Sequence, residues 1–211
     1  MYTGRRSTGI LTARRENMFN RRIEITKENE SILFVNAVIE NLRYAIISLD
    51  ALFNQRDYSG YYDEYTFYFF HMQSILTAQG NIYNVLFNDY FGRKQISEER
   101  VKKVRESFGI DLTKYPLVGN KKFRNSCAHF DERYYKFNNV GDMNILRSDT
   151  PEGEKKQILE TPHLRTIDLD KRIYYSYDAK GKRIVLDLNE LRNEMYDMLS
   201  ELCTNDIRKE K

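Results

Sequence analysis

The sequence predicts an all-α fold, a helical bundle with two long antiparallel helices and a small β-hairpin insertion. Two stretches carry apolar residues at alternating spacings of three and four, which indicates helices with one buried face. The link between these stretches is short and contains turn-forming residues, which favours antiparallel packing. Nearer the C-terminus the apolar period changes to two, which is typical of strands.

The two long helices are predicted from Lys27 to Phe53 and from Asp63 to Tyr90. The expected buried residues of the first are Ile32, Val35, Ile39, Leu42, Ile46, Leu49 and Phe53. Those of the second are Tyr65, Phe69, Met72, Leu76, Gln79, Tyr83, Leu86 and Tyr90. Gly80 weakens the second helix by about 1 kcal/mol relative to alanine, which a helix of this length tolerates.

Two shorter helices are expected next. Ser97 opens the third helix as an N-cap, and Gly109 ends it. A turn containing Gly119 precedes the fourth helix, from about Asn120 to Phe137. The polar stretch from Asn138 to Pro162 shows little periodicity, so we expect an ordered loop or a partly mobile insertion there.

A β-hairpin is predicted around the turn Asp178-Ala179-Lys180-Gly181. The alternating apolar residues on either side are Ile167, Leu169, Ile173, Tyr175, Tyr177, Ile184 and Leu186. Asp187 then caps a last helix, with Glu190 three residues further on. The buried stripe expected on that helix is Leu188, Leu191, Met195, Met198 and Leu202.

The excess positive charge lies at the N-terminus. The first 22 residues hold six arginines and one acidic residue, whereas the whole chain has a net charge of +3. We therefore divide the chain into a basic arm, residues 1–26, and a helical domain, residues 27–211, with an insertion at about 138–187. The arm is expected either to contact a polyanion such as RNA or to be a solvated tail.

Several classes of protein are not expected. The motifs GxGxxG, GxxxxGK[ST], GxSxG and HExxH do not occur. Cys127 and Cys203 lack the spacing of a zinc site or a disulfide framework, and the histidines are far apart, so we expect no metal and no cofactor. No stretch approaches the roughly 18 uncharged apolar residues of a membrane span, and we expect a cytoplasmic protein.

The fourth helix carries the best candidate site. Asn125, His129 and Arg133 follow one another at intervals of four and so share a face, with Arg124 beside it. A group that titrates near neutrality, cations that grip phosphate oxygens and an orienting amide suit phosphodiester cleavage without a metal. A solvated charged surface would show the same spacing. The apolar side of the helix is expected to consist of Phe123, Cys127, Phe130 and Tyr134.

The other chemically interesting residues have simpler interpretations. His71 is expected to be a packing residue of the second helix, and His163 a surface residue. The aromatic residues between Tyr61 and Phe70 suit either stacking on single-stranded RNA or a subunit interface. We favour the interface.

The segment FRNSCAHFDER, from Phe123 to Arg133, resembles the signature of the HEPN superfamily. That signature is an arginine, four to six further residues and a histidine, commonly with a polar residue directly after the arginine. Arg124, Asn125 and His129 match it. The order of helices is similar too, and the resemblance covers Lys27 to Tyr135 plus Leu188 to Cys203, but not the basic arm or the hairpin insertion.

The resemblance implies a homodimeric, metal-independent endoribonuclease that acts as a toxin or in phage defence. The partners that it implies are RNA and an antitoxin or other protein. His129 would transfer protons, and Arg124 would stabilise the charge on the phosphate. Asn125 would orient either the phosphate or His129. Arg133, Lys121 and Lys122 are expected to bind RNA. Other family members have lost activity, so the alternative is a non-catalytic helical module that binds RNA, a nucleotide or a partner protein.

Overall fold

The computed structural model describes residues 30–54, 63–87, 105–106, 108–128, 144–161, 165–178 and 180–209. The basic arm, the Ser97 cap and His163 lie outside these residues. The helices are α1 (Glu30–Asn54), α2 (Glu64–Leu86), α3 (Lys121–Ala128), α4 (Glu152–Glu160) and α5 (Leu188–Lys209), with a 3₁₀ turn at Leu112–Lys114. The strands are β1 (Asn144–Leu146), β2 (Thr166–Asp168), β3 (Ile173–Tyr177) and β4 (Arg183–Asp187).

The predicted pair of long helices is present. α1 and α2 pack against each other, and Asn81 Nδ2 donates a hydrogen bond to Asn41 Oδ1 at 2.9 Å across the pair. The sheet region contacts both the end of α1, where Arg172 lies 4.5 Å from the Phe53 ring centre, and the start of α2, where Arg147 pairs with Glu64. The end of α1 and the start of α2 therefore lie on the same side, and the helices are antiparallel.

The all-α prediction is wrong, because the chain contains a four-stranded mixed sheet as well as helices. The strand order is β1-β2-β3-β4, with β1 and β2 parallel and the other pairs antiparallel. β3 and β4 form the predicted hairpin, but Ile167 lies in β2 and Leu169 in the turn after it. β1 and β2 have three residues each, too few to show an alternating pattern.

The stretch from Asn138 to Pro162 is also more ordered than expected, since it contains β1 and α4. α4 has no fully buried residue, and lysine–glutamate pairs lie along its surface, such as Lys155 with Glu152 at 3.1 Å. A helix without a buried face has no apolar period of 3.6. The sequence pattern therefore gave no indication of it.

The core lies between α1, α2, α5 and one face of the sheet. All five residues predicted for the α5 stripe are buried, and Asp187 Oδ1 caps the helix by accepting from the backbone N–H groups of Asn189 and Glu190. The predicted α2 seam is partly wrong, since Tyr65 is 58% exposed while Phe67 is fully buried. α2 packs against both α1 and α3, so its buried surface is wider than one seam.

By length and composition alone, segment Ile32–Asn54 of α1 is long and apolar enough to cross a membrane, with a mean hydropathy of 1.5. The segment contains Glu40, Arg43 and Asp50, so it is not an uncharged apolar stretch of the kind that the sequence was expected to lack. Core helices of soluble proteins and N-terminal signal sequences share this composition. In the structure, α1 packs against α2 and α5 with Leu42 and Leu49 fully buried, although its predicted first seam residue, Ile32, is exposed.

Candidate functional site

The helix that carries the motif, α3, begins with a side-chain cap. Asn120 Oδ1 accepts a hydrogen bond from Lys122 N at 3.0 Å, which satisfies one of the free N–H groups of the first turn. Phe123 is 2% exposed and anchors the helix in the core. The first turn of α3 is therefore fixed both by its own cap and by apolar packing.

The turn before α3 is held by side chains from two other helices. Gln79 of α2 is buried and donates from Nε2 to Val118 O at 2.7 Å and to Asn120 O at 3.3 Å. Glu194 of α5 accepts from Leu117 N at 2.9 Å and from Val118 N at 3.0 Å. Burial raises the pKa of the Glu194 carboxyl, and these two backbone hydrogen bonds oppose that shift. The position of α3 thus depends on both α2 and α5.

Gly119 lets this turn pass close to the end of α2. A Cβ atom at position 119 would lie 2.7 Å from ring carbon Cε1 of Phe87, well inside van der Waals contact. The Phe87 ring is itself stacked on Tyr83, with 6.1 Å between the ring centres. A side chain at position 119 would therefore have to displace a packed ring.

The structure places part of the predicted site. Arg124 and Asn125 lie in α3, where Asn125 is half-buried and the backbone of Arg124 is described. His129 and Arg133 lie outside the described residues, as do Phe130 and Tyr134. The predicted fourth helix is confirmed from Lys121 to Ala128.

The predicted RNA-binding lysines lie near the motif on the same helix. Lys121 and Lys122 are exposed in the first turn of α3. Lys121 and Asn125 are four residues apart, so they share a face that points away from the buried Phe123. This face combines a cation with the amide of the motif.

The insertion also reaches the motif helix, which the sequence did not predict. Strand β4 packs against α3 as well as against α5. The turn between β3 and β4 begins at Asp178, whose pKa is lowered by a backbone hydrogen bond from Lys182 and, to a smaller degree, by the charge of Lys122. The charge of Lys122 on α3 therefore acts on Asp178 at the start of the hairpin turn.

His71 lies on α2 among aromatic residues. His71 is buried, and its ring lies 4.5 Å from that of Phe67 and 5.2 Å from that of Phe70, as expected of a packing residue. Burial lowers the pKa of His71. Phe69 and Phe70 are exposed, and Arg165 lies 4.8 Å from the centre of the Phe69 ring. In the described ranges, no three His, Cys, Asp or Glu side chains are grouped to hold a metal ion.

The Glu194 contacts lead to a stability prediction. Glu194→Ala leaves the N–H groups of Leu117 and Val118 without their acceptor, so we expect the free energy of unfolding to fall by about 2–3 kcal/mol. Glu194→Gln keeps one oxygen able to accept both bonds and should lose less than about 1 kcal/mol. Urea unfolding at neutral pH measures both, with Asn193→Ala, an exposed position on α5, as the control. Equal losses in the alanine and glutamine variants would contradict the assignment.

Comparison of the chain with protein-family models, with curated proteins and with solved structures finds no match. The contacts around α3 fix the position of its first turn and the charged groups that lie beside it.

Proposed function

We propose that this protein is a metal-independent endoribonuclease with Arg124, Asn125 and His129 as its catalytic residues. The observation that carries the proposal is the placement of Arg124 and Asn125 on α3, a helix whose start is attached to both α2 and α5. His129 follows Ala128, the last described residue of that helix, and completes the Arg-x4-His pattern.

The order of the helices gives further support. Two long antiparallel helices precede α3, and a closing helix, α5, packs against α1. This is the order in which the HEPN pattern places its motif. The four-stranded sheet lies between α3 and α5 in the chain and is an addition to that pattern.

The reaction assigned to the site is an intramolecular transesterification of the RNA phosphodiester. The RNA 2'-oxygen attacks phosphorus, so that a P–O2' bond forms and the P–O5' bond breaks. His129 accepts the 2'-hydroxyl proton or donates a proton to the leaving 5'-oxygen. Arg124 stabilises the charge that develops on the phosphate oxygens, and Asn125 orients the phosphate or His129. DNA lacks the 2'-hydroxyl and should not be cleaved.

We include a homodimer in the cytoplasm in this proposal, with two motifs facing one groove. Exposed aromatic side chains on α2, Tyr65, Phe69 and Phe70, suit the subunit interface. The biological setting proposed is a toxin or phage-defence system with an antitoxin or other protein partner. Light scattering at micromolar concentration tests the dimer, and a monomer at all such concentrations would contradict it.

The decisive experiment is RNA cleavage in excess EDTA with identification of the product ends. We expect cleavage to persist and to leave 2',3'-cyclic phosphate and 5'-hydroxyl ends, because the nucleophile belongs to the RNA. The same sequence made as DNA is the control. A requirement for Mg²⁺ or the appearance of 5'-phosphate ends would contradict the mechanism. A folded protein that binds RNA but cleaves none would instead be the non-catalytic binding module.

A further inference from the structure

Two exposed lysines, Lys180 and Lys182, lie between β3 and β4. Asp178 Oδ1 accepts hydrogen bonds from Lys180 N at 2.8 Å and from Lys182 N at 2.9 Å. Asp178 N also donates to Lys182 O at 2.9 Å, and Gly181 has a φ of 78°, a conformation that glycine adopts without strain. The backbone of both lysines is thus fixed although their side chains are in solvent.

Strand β4 brings this turn to the start of the motif helix. Ile184 and Leu186 lie in the core, and β4 packs against α3. Lys182 directly precedes Arg183, the first residue of β4, so it lies at the end of the strand that packs against α3. The influence of Lys122 on the Asp178 carboxylate indicates the same proximity.

Four exposed lysines therefore lie around the junction between the hairpin and α3: Lys121, Lys122, Lys180 and Lys182, which we call the lysine cluster. Asp178, the acidic residue of the turn, accepts hydrogen bonds from two backbone N–H groups and stays ionised. It offsets one of the four positive charges, so the surface around the junction keeps a net positive charge. The cluster joins two segments that are far apart in the sequence.

We propose that the lysine cluster binds the phosphate backbone of the RNA that enters the motif site. This inference rests on the proposed ribonuclease function. Ammonium groups bind phosphates as point charges and do not distinguish bases, so the cluster supplies affinity and position along the strand rather than sequence preference. The hairpin insertion then forms part of the RNA-binding surface, next to α3, the helix that contains Arg124.

The test measures RNA binding by the full chain carrying His129→Ala, which prevents loss of the probe by cleavage. The probe is a fluorescein-labelled single-stranded RNA of mixed sequence, followed by anisotropy at several KCl concentrations. Lys180→Gln with Lys182→Gln should weaken binding about 25-fold at about 0.1 M salt and reduce the slope of log K against log[salt] by about 1.4. Lys180→Gln alone, in case the pair disturbs folding, should weaken binding about fivefold.

The matched control is Lys156→Gln with Lys171→Gln, which removes the same charge from the same insertion. Lys156 is on α4 and Lys171 is in the turn before β3, at the opposite end of that strand from Asp178. The control should change affinity less than about threefold, because neither lysine belongs to the lysine cluster. Equal losses in the two variants, or no RNA binding by the chain carrying His129→Ala, would overturn the inference. Lysine-dependent binding without RNA cleavage by the unaltered protein would support the cluster and contradict only the nuclease function.

Discussion

His129→Ala is expected to slow RNA cleavage by about 10²- to 10⁴-fold, the usual contribution of one positioned acid or base. Affinity for RNA should change little, because the imidazole acts on the transferred proton rather than on the bound ground state. Single-turnover cleavage measures the chemical step, and anisotropy with the labelled RNA measures binding. The loss should therefore fall on the rate constant and not on the dissociation constant.

His163→Ala is the matched control, since it removes an imidazole from a position expected to be on the surface. Its cleavage rate should equal that of the unaltered protein. Cleavage that survives His129→Ala would place the proton transfer elsewhere in the molecule. A parallel loss of rate in both variants would indicate an effect on folding, which thermal unfolding of each variant would reveal.

Arg124→Ala is expected to lower the cleavage rate by about 10²- to 10³-fold, the effect of removing one group that stabilises developing negative charge. RNA affinity should fall as well, because a guanidinium contacts the phosphate before and during the reaction. Arg124→Lys keeps the charge but loses the paired hydrogen bonds, so an intermediate rate is expected. The contrast with His129→Ala separates phosphate binding from proton transfer.

Arg43→Ala, an exposed arginine on α1, controls for the loss of one positive charge. It should leave both the cleavage rate and its dependence on salt close to those of the unaltered protein. If Arg124→Ala behaved like this control, the arginine of the motif would have no special role. The resemblance of the segment to a nuclease signature would then carry no chemistry in this chain.

How well the fold was predicted depended on how each element is buried. The α5 stripe was predicted because one face of that helix is buried and Asp187 caps it locally. The buried surface of α2 was predicted less well, because two neighbours bury residues such as Phe67 that lie off the seam. β1 is not predicted because three residues are too few to show an apolar period. α4 is not predicted because it has no buried face.

The site was predicted only as a local pattern. The Arg124–His129 motif and the nearby lysines of α3 can be read from one short segment. The hydrogen bonds that hold the turn before α3 cannot be predicted in this way, because their partners are distant in the chain. Gln79 is 39 residues from Val118, and Glu194 is 77 residues from Leu117. The hairpin lysines were missed for the same reason, because only the packing of β4 brings them to α3.

The attachment of Glu194 to the turn before α3 also has a consequence for the timing of synthesis. Glu194 follows Leu117 by 77 residues, so a ribosome adding about 5–20 residues per second makes the turn before the motif helix about 4–15 s before the carboxylate that binds it. During that interval the N–H groups of Leu117 and Val118 lack their acceptor, whereas Gln79 of α2, which donates to Val118 O, has already been made. The turn before the motif helix therefore gains its full set of hydrogen bonds only after α5 has been made.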